Sequence, residues 1–292
     1  MTVIASQDVL RELPTAEFIF GSTAGMGKVR EEIERAFCDD FPVLIEGESG
    51  TGKEVIGRFL HMSSIRSGAP FLKLNCAATP PDLLEAAMFG YEQRGARDMR
   101  PTEFGSIGLA GGGTLFLDEI GDADSAFLQM LMQTLESGRY RHLGGNEDIT
   151  ATARFVCASS IDLGTRLKSR TWVGGLLGLF GLHRVRLLPL RERKEDIPQL
   201  CEYLLERFAR DFGRPVPHLS SNALEAFQRW KWPGNIRELE NWIARIVIFG
   251  AEEVIGLEFS RQLMALEEAA AARNHHVTHM KLGRPRRLRR HR

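Results

Sequence analysis

The chain has 292 residues, enough for one or two domains with a buried core, and its 43% hydrophobic and 26% charged residues exclude long disorder and collagen-like repetition. Lysine plus arginine equals aspartate plus glutamate at 38 each, yet the last 12 residues, KLGRPRRLRRHR, carry seven basic residues and no acid. The preceding 280 residues are therefore net −7, and any polyanion contact is expected from the tail.

A membrane span is not expected, because the longest apolar run, Trp172 to Leu182, has 11 residues against the ~20 that a spanning helix needs. The opening MTVIASQDVLRELP lacks the basic-then-apolar order of a signal peptide, so the expected location is the cytoplasm. Cys38, Cys76, Cys157 and Cys201 lie far apart without a CxxC pair, which suits neither a zinc ribbon nor a disulfide framework.

Taken in chain order, residues 17–40 place Met26, Val29, Ile33 and Phe37 three or four apart, the stripe of a surface helix. FPVLIEG then reads as a strand, followed by a glycine-rich turn and by EVIGRFLHMSS, a helix with Val55, Ile56, Phe59 and Leu60 on its apolar side. Further strand-like runs are PFLKLN (70–75), GTLFLDEI (113–120) and ARFVCASS (153–160), separated by helical stretches such as SAFLQMLMQTLESG. This alternation predicts a parallel α/β sheet covered on both faces, with Phe41, Leu44, Leu115, Phe116 and Phe155 in its core. From about Leu190 the strands stop, and three helical patterns follow, with caps expected at Ser220 or Ser221 and at Asn235 behind Pro233-Gly234. The expected organisation is a short lead over 1–15, an α/β domain over 16–189, a small all-helical domain over 190–260, and a linker with a basic tail over 261–292.

Residues 47–54, GESGTGKE, put Gly47, Glu48, Ser49, Gly50, Thr51, Gly52, Lys53 and Glu54 between a strand and a helix at the spacing G-x-x-x-x-G-K. Such a loop wraps a phosphate with its amides and helix N-terminus, while Lys53 reaches the β and γ oxygens. Glu54 stands where a serine or threonine commonly supplies magnesium with a hydroxyl. About 65 residues on, the run TLFLDE ends in Asp118, suited to the metal shell, and Glu119, suited to activating water against the γ-phosphate.

Together with GESGTGKE, the motifs FLKLNCAA, MFGYEQ, GGTLFLDEI, LPLRERKEDI and WPGNIRELEN resemble, from about Phe20 to Phe249, the AAA+ ATPases that activate transcription by sigma-54 RNA polymerase, the bacterial enhancer-binding proteins. That resemblance implies an AAA+ core with a helical lid, assembling as a ring, usually a hexamer, in which ATP hydrolysis drives open-complex formation. It implies ATP bound by Lys53 and its loop, Mg²⁺ positioned by Asp118, and water polarised by Glu119. Asn75 would restrain Glu119 until the partner is sensed, and Arg237 would be the lid arginine that reaches the γ-phosphate. No receiver or ligand-sensing domain is expected in the first ~15 residues, so control would come from elsewhere.

The chain also departs from the family. After FGYEQ, where the family has the GAFTGA loop that touches sigma-54, it reads RGARDMRPTEFGS, and only Gly95-Ala96 survive. A gapless count back from LRER puts Trp172, Val173 and Leu179 where the family's FREDLYYRL has phenylalanine and two arginines that act on the neighbouring subunit's ATP. Arg170 and Arg184 are nearby but out of register, and the family's ATN at the sensor strand is Ala158-Ser159-Ser160. A specialised, partly degenerate subunit and a local reading-frame slip both account for such text. An arginine delivered in trans contributes about 10³–10⁵ in rate, so the expectation is sound nucleotide binding, weak self-turnover and a homo- or hetero-hexamer completed by another AAA+ activator. The competing expectation is a nucleotide-binding regulatory or assembly subunit with little ATPase activity. The tail is a candidate for nonspecific DNA contact, and His275, His276 and His279 have helical spacing but no acid or cysteine beside them.

Overall fold

The structure, a computed structural model, describes residues 13–92, 103–167 and 171–249. The lead, most of RGARDMRPTEFGS, Arg170, the three histidines and the basic tail lie outside the described residues. The chain divides into two compact units, one running to Leu200 together with Trp232–Glu240, the other made of Cys201–Lys231 and the chain from Asn241 onward.

The first unit opens with helices α1 (Ala16–Phe20) and α2 (Ala24–Arg35), and the apolar stripe read from residues 17–40 falls on the second. Gly21 separates the two at φ 65°, and the Asp196 carboxylate takes the backbone N–H groups of Ser22 and Thr23 at 2.8 and 3.0 Å, which have no helical partner there. Met26, Val29 and Ile33 are buried as expected, whereas Phe37 lies past the helix end and is only partly covered.

Strand β1 (Val43–Glu46) leads through the glycine loop into α3 (Lys53–Met62). Then come β2 (Phe71–Asn75), α4 (Pro81–Phe89) and α5 (Ser106–Ala110), with an antiparallel pair of two-residue strands, Gly90–Tyr91 and Glu103–Phe104, before α5. Strand β3 (Thr114–Asp118), helix α6 (Ser125–Ser137), strand β4 (Arg154–Ser159), α7 (Leu163–Arg166), α8 (Val173–Leu179) and strand β5 (Arg184–Arg186) complete the α/β part.

The sheet order is β2-β3-β4-β1-β5, and every pairing is parallel. Period two along the strands feeds two cores. Leu44, Leu72, Leu74, Leu115, Leu117, Phe155 and Cys157 face one, while Val43, Ile45, Phe71, Phe116, Val156 and Ala158 face the other. Both faces are thus buried, which is why these strands read as unbroken apolar runs.

One expectation is corrected here, and one strand is added that the sequence pattern does not announce. Phe41 is 52% exposed, because the strand begins only after Pro42 and leaves this ring at the surface. The edge strand β5 carries no apolar run: Val185 alone is buried between two exposed arginines, and the strand exists because its backbone pairs with β1.

Three further helices follow, α9 (Ile197–Phe212), α10 (Ser221–Arg229) and α11 (Asn235–Phe249); residues 201–212 of α9, all of α10 and residues 241–249 of α11 belong to the second unit and bury Leu204, Leu205, Phe227, Ile243 and Ile246 among other residues, while the starts of α9 and α11 belong to the first. Ser220 caps α10 by accepting from the Ala223 amide at 3.3 Å. Asn235 does not cap α11 with its side chain, contrary to the sequence expectation. It is the first helical residue, at φ 53°, and its Oδ1 accepts from the Leu190 amide at 2.8 Å. The Gly234 amide is taken instead by Glu238 Oε2 at 2.8 Å.

Candidate nucleotide site

Parallel strands gather their carboxyl ends along one edge, so the loop after β1 and the acids after β3 meet there. Gly50 (φ 79°) and Gly52 (φ 96°) take left-handed backbone that lets the loop curl. At Gly50 a Cβ would also stand 2.2 Å from the Gly234 carbonyl, so any larger residue would push the loop off that segment. Thr51 Oγ1 closes the turn onto the Glu48 carbonyl at 2.8 Å, and the α3 amides begin directly behind it.

Lys53 is almost fully buried, and its ammonium donates to the Gly47 and Glu48 carbonyls at 2.9 and 3.3 Å and pairs with Glu119 Oε1 at 3.2 Å. The rim of the loop is tied within the same unit. Arg191 holds Glu48 through two bonds of 2.7 and 2.6 Å, Asn235 Nδ2 donates to Glu48 Oε2 and to the Ser49 carbonyl, and the Gly50 carbonyl accepts the Ile236 and Arg237 amides. The exposed Arg237 donates to Ser49 Oγ at 3.3 Å, so it reaches the loop without entering it.

Glu119 follows β3 in a left-handed conformation (φ 54°) that turns it back over the sheet end. Its Oε2 accepts from the Ser160 amide and hydroxyl at 2.7 and 2.6 Å. Burial pushes its carboxyl up, but the Ser160 bonds and the Lys53 charge outweigh burial and hold it below the usual carboxylate range. Asn75 sits opposite Asp118 in register, and its Oδ1 accepts the Ala77 and Ala78 amides at 3.0 Å each. Among the described residues no hydrogen bond joins Asn75 to Glu119; Ser160 and Lys53 hold that carboxylate.

Asp118 Oδ2 pairs with Lys73 Nζ at 2.8 Å, and the same ammonium donates to Glu54 Oε2 at 2.6 Å, while Arg58 pairs with the other Glu54 oxygen. Burial pushes the Glu54 carboxyl up, but Lys73 and Arg58 outweigh it and bring it down. Among the described residues no three His, Cys, Asp or Glu side chains form a cage that would hold a metal by themselves. A single strand-end carboxylate beside a phosphate loop suits magnesium, which keeps waters and borrows phosphate oxygens.

The sequence reading left out Lys73, Arg58, Arg191 and Asn235 as site residues. Lys73 interrupts the apolar run FLKLN on the face that also carries Asn75, a signal available in the sequence; Arg191 lies in the motif LPLRERKEDI, where nothing local pairs it with Glu48.

The segment expected to bear trans-acting arginines is built into the core. Val173 is 6% exposed, and Leu176 and Phe180 are fully buried, in the cluster that also holds Leu131 of α6. Leu179 is only partly covered.

A five-stranded parallel sheet with a phosphate loop after one strand and paired acids after another defines an AAA+ P-loop ATPase core, here followed by a helical lid. The family model described as Sigma-54 interaction domain matches residues 19–179, and that of the AAA+ ATPase lid domain matches 191–276; the chain belongs to the sigma-54-dependent activators. It is 38% identical over 237 residues to the Nif-specific regulatory protein of Azotobacter vinelandii, covering 81% of this chain and 45% of that one. It is 36% identical over 273 residues to the DNA-binding transcriptional activator HyfR of Escherichia coli, covering 92% and 41%. The chain therefore spans less than half the length of these relatives. Among solved structures, NtrX from Brucella abortus in complex with ADP superposes with a TM-score of 0.73 at 28% identity, covering 80% of this chain and 51% of that one. Among the described residues no helix is long and apolar enough to cross a membrane.

Proposed function

We propose that this chain is an ATP-binding activator subunit of sigma-54 RNA polymerase, acting in the cytoplasm, and that it works in a ring with a second AAA+ activator. The observation that carries the reading is the cis site: a glycine loop with Lys53 buried between the Gly47 carbonyl and the Glu119 carboxylate. The solved NtrX relatives were crystallised with ADP and with ATP, which supports a nucleotide in the matching loop.

In this reading the amides of 47–54 and Lys53 hold the phosphates, Arg237 approaches from the rim, and Asp118 would hold magnesium. Bound ATP with Mg²⁺ supplies the phosphoanhydride and its charge neutralisation. The chain's own contribution is to orient Glu119 beside Lys53, where a carboxylate kept ionised can accept a proton from water.

The buried Val173 and the apolar Leu179 supply no charge to a neighbour's site, which favours a partner that brings the arginine. RGARDMR, at the polymerase-contacting position, supports the same dependence, and the basic tail over 281–292 would add a DNA contact. The apolar α8 favours the alternative too, a nucleotide-binding regulatory or assembly subunit with little turnover of its own.

Calorimetry with ATP and Mg²⁺ tests the site: micromolar-range binding is expected in wild type and none in Lys53→Ala. Glu119→Gln should retain binding and remove whatever turnover exists. Transcription from a sigma-54 promoter should be weak with this chain alone and rise when a competent AAA+ activator is mixed in. Robust open-complex formation by the chain alone would overturn the partner dependence.

A further inference from the structure

Lys73 has no part in the glycine loop, yet its ammonium stands within 2.6 Å of Glu54 and 2.8 Å of Asp118. It is held there by strand geometry. Phe71, Lys73 and Asn75 point to one face of β2, and Lys73 lies opposite Phe116, which places its Nζ diagonally toward Asp118 at the end of β3. Glu54 occupies the first turn of α3, at the position where P-loop proteins commonly offer magnesium a hydroxyl. Asp118 and the residue that stands in place of that hydroxyl are therefore both carboxylates, and one ammonium bridges them. Charge balances without any ion: Lys53, Arg58 and Lys73 face Glu54, Asp118 and Glu119.

We infer that Lys73 is a resting counter-cation that sets the divalent-metal requirement of this site, by occupying Asp118 until a metal arrives with nucleotide. The inference rests on the reading of 47–54 as the nucleotide loop. A divalent ion at Asp118 would have to displace Lys73, which would remain with Glu54 and keep that carboxylate from joining the metal shell. Two consequences follow. The divalent cation binds less tightly than Asp118 and Glu54 alone would allow, and nucleotide can enter without metal because the acids are already neutralised.

The experiment is a calorimetric ATP titration over a Mg²⁺ series and in EDTA, for wild type, Lys73→Met, Lys73→Arg and Glu54→Gln, each checked for a folded thermal transition. Removing one charge at ion-pair distance should lower the half-saturating Mg²⁺ concentration at least about fivefold in Lys73→Met, the factor left when the charge is screened as in bulk water, and weaken metal-free ATP binding by a similar factor. Lys73→Arg keeps the charge and should stay within about twofold of wild type, on the same Coulomb argument. Glu54→Gln leaves the ammonium to Asp118 alone and should raise the Mg²⁺ half-point, an outcome that stands even if Lys73→Met does not fold. An unchanged or raised half-point in folded Lys73→Met, or an unchanged or lowered one in Glu54→Gln, would overturn the inference and leave Lys73 a structural ion pair. Wild type with no ATP affinity at any Mg²⁺ concentration would instead overturn the nucleotide site itself.

Discussion

Helix α8 decides whether the apolar stretch 172–182 is structure or a displaced catalytic segment, and Leu176→Ala measures it. Leu176 has no exposed surface and packs in the cluster with Leu131 and Phe180. Truncating a fully buried leucine costs about 2–5 kcal/mol, the transfer of the lost carbons plus the cavity they leave. For a domain of this size each kcal/mol lowers the melting temperature by about 2–4 °C, so a drop on the order of 5–15 °C is expected. Leu182, 69% exposed, is the internal control, and Leu182→Ala should change stability by less than about 0.5 kcal/mol. The assay is paired thermal and urea unfolding of the two variants. Melting temperatures that move together, or an unperturbed Leu176→Ala, would show that α8 is not packed as described. The same reasoning separates the two finger positions. Val173→Arg would bury a guanidinium among aliphatic side chains and should unfold the domain, whereas Leu179→Arg, at a partly covered position, should fold. An attempt to restore the arginines by mutation can therefore use position 179 alone.

Further outcomes are expected elsewhere. Ser160→Ala removes a hydroxyl that donates to Glu119 at 2.6 Å and should cost about 1–2 kcal/mol, a loss that shrinks in the Glu119→Gln background; strictly additive denaturation energies would refute the contact. Arg66, through its hydrogen bonds, holds the Asp40 carboxyl below its ordinary value of 3.8. Its stabilising contribution is thus present above the unfolded aspartate pKa of about 4 and is lost as pH falls through the depressed native value, so Asp40→Asn should destabilise at neutral pH and converge with wild type in strong acid. Burial pushes the Cys76 and Cys201 thiols up to about 12, so iodoacetamide on native protein should label the exposed Cys38 and spare Cys76, Cys157 and Cys201, as read by peptide mass spectrometry.

Much of this protein is legible along the chain because its signals are local. FPVLIEG followed by GESGTGKE and a helical stripe specifies strand, phosphate loop and helix within some twenty neighbouring residues, and TLFLDE specifies a buried strand ending in acids. The unbroken apolar runs likewise specify a sheet covered on both faces. Only the tertiary structure decided what depends on partners distant in sequence. The edge strand Arg184–Arg186 has no apolar run of its own and exists by pairing with β1, some 140 residues earlier. Glu119 is held by Ser160, 41 residues on, because β3 and β4 are neighbours in the sheet; the motif TLFLDE marks the acid but not the residue that holds it. Lys73 reaches Asp118 and Glu54 only once β2 pairs with β3 and α3 docks beside them. Side-chain periodicity says which face a residue takes, but the identity of the charge it meets across that face is set by strand order, and strand order is a property of the folded sheet.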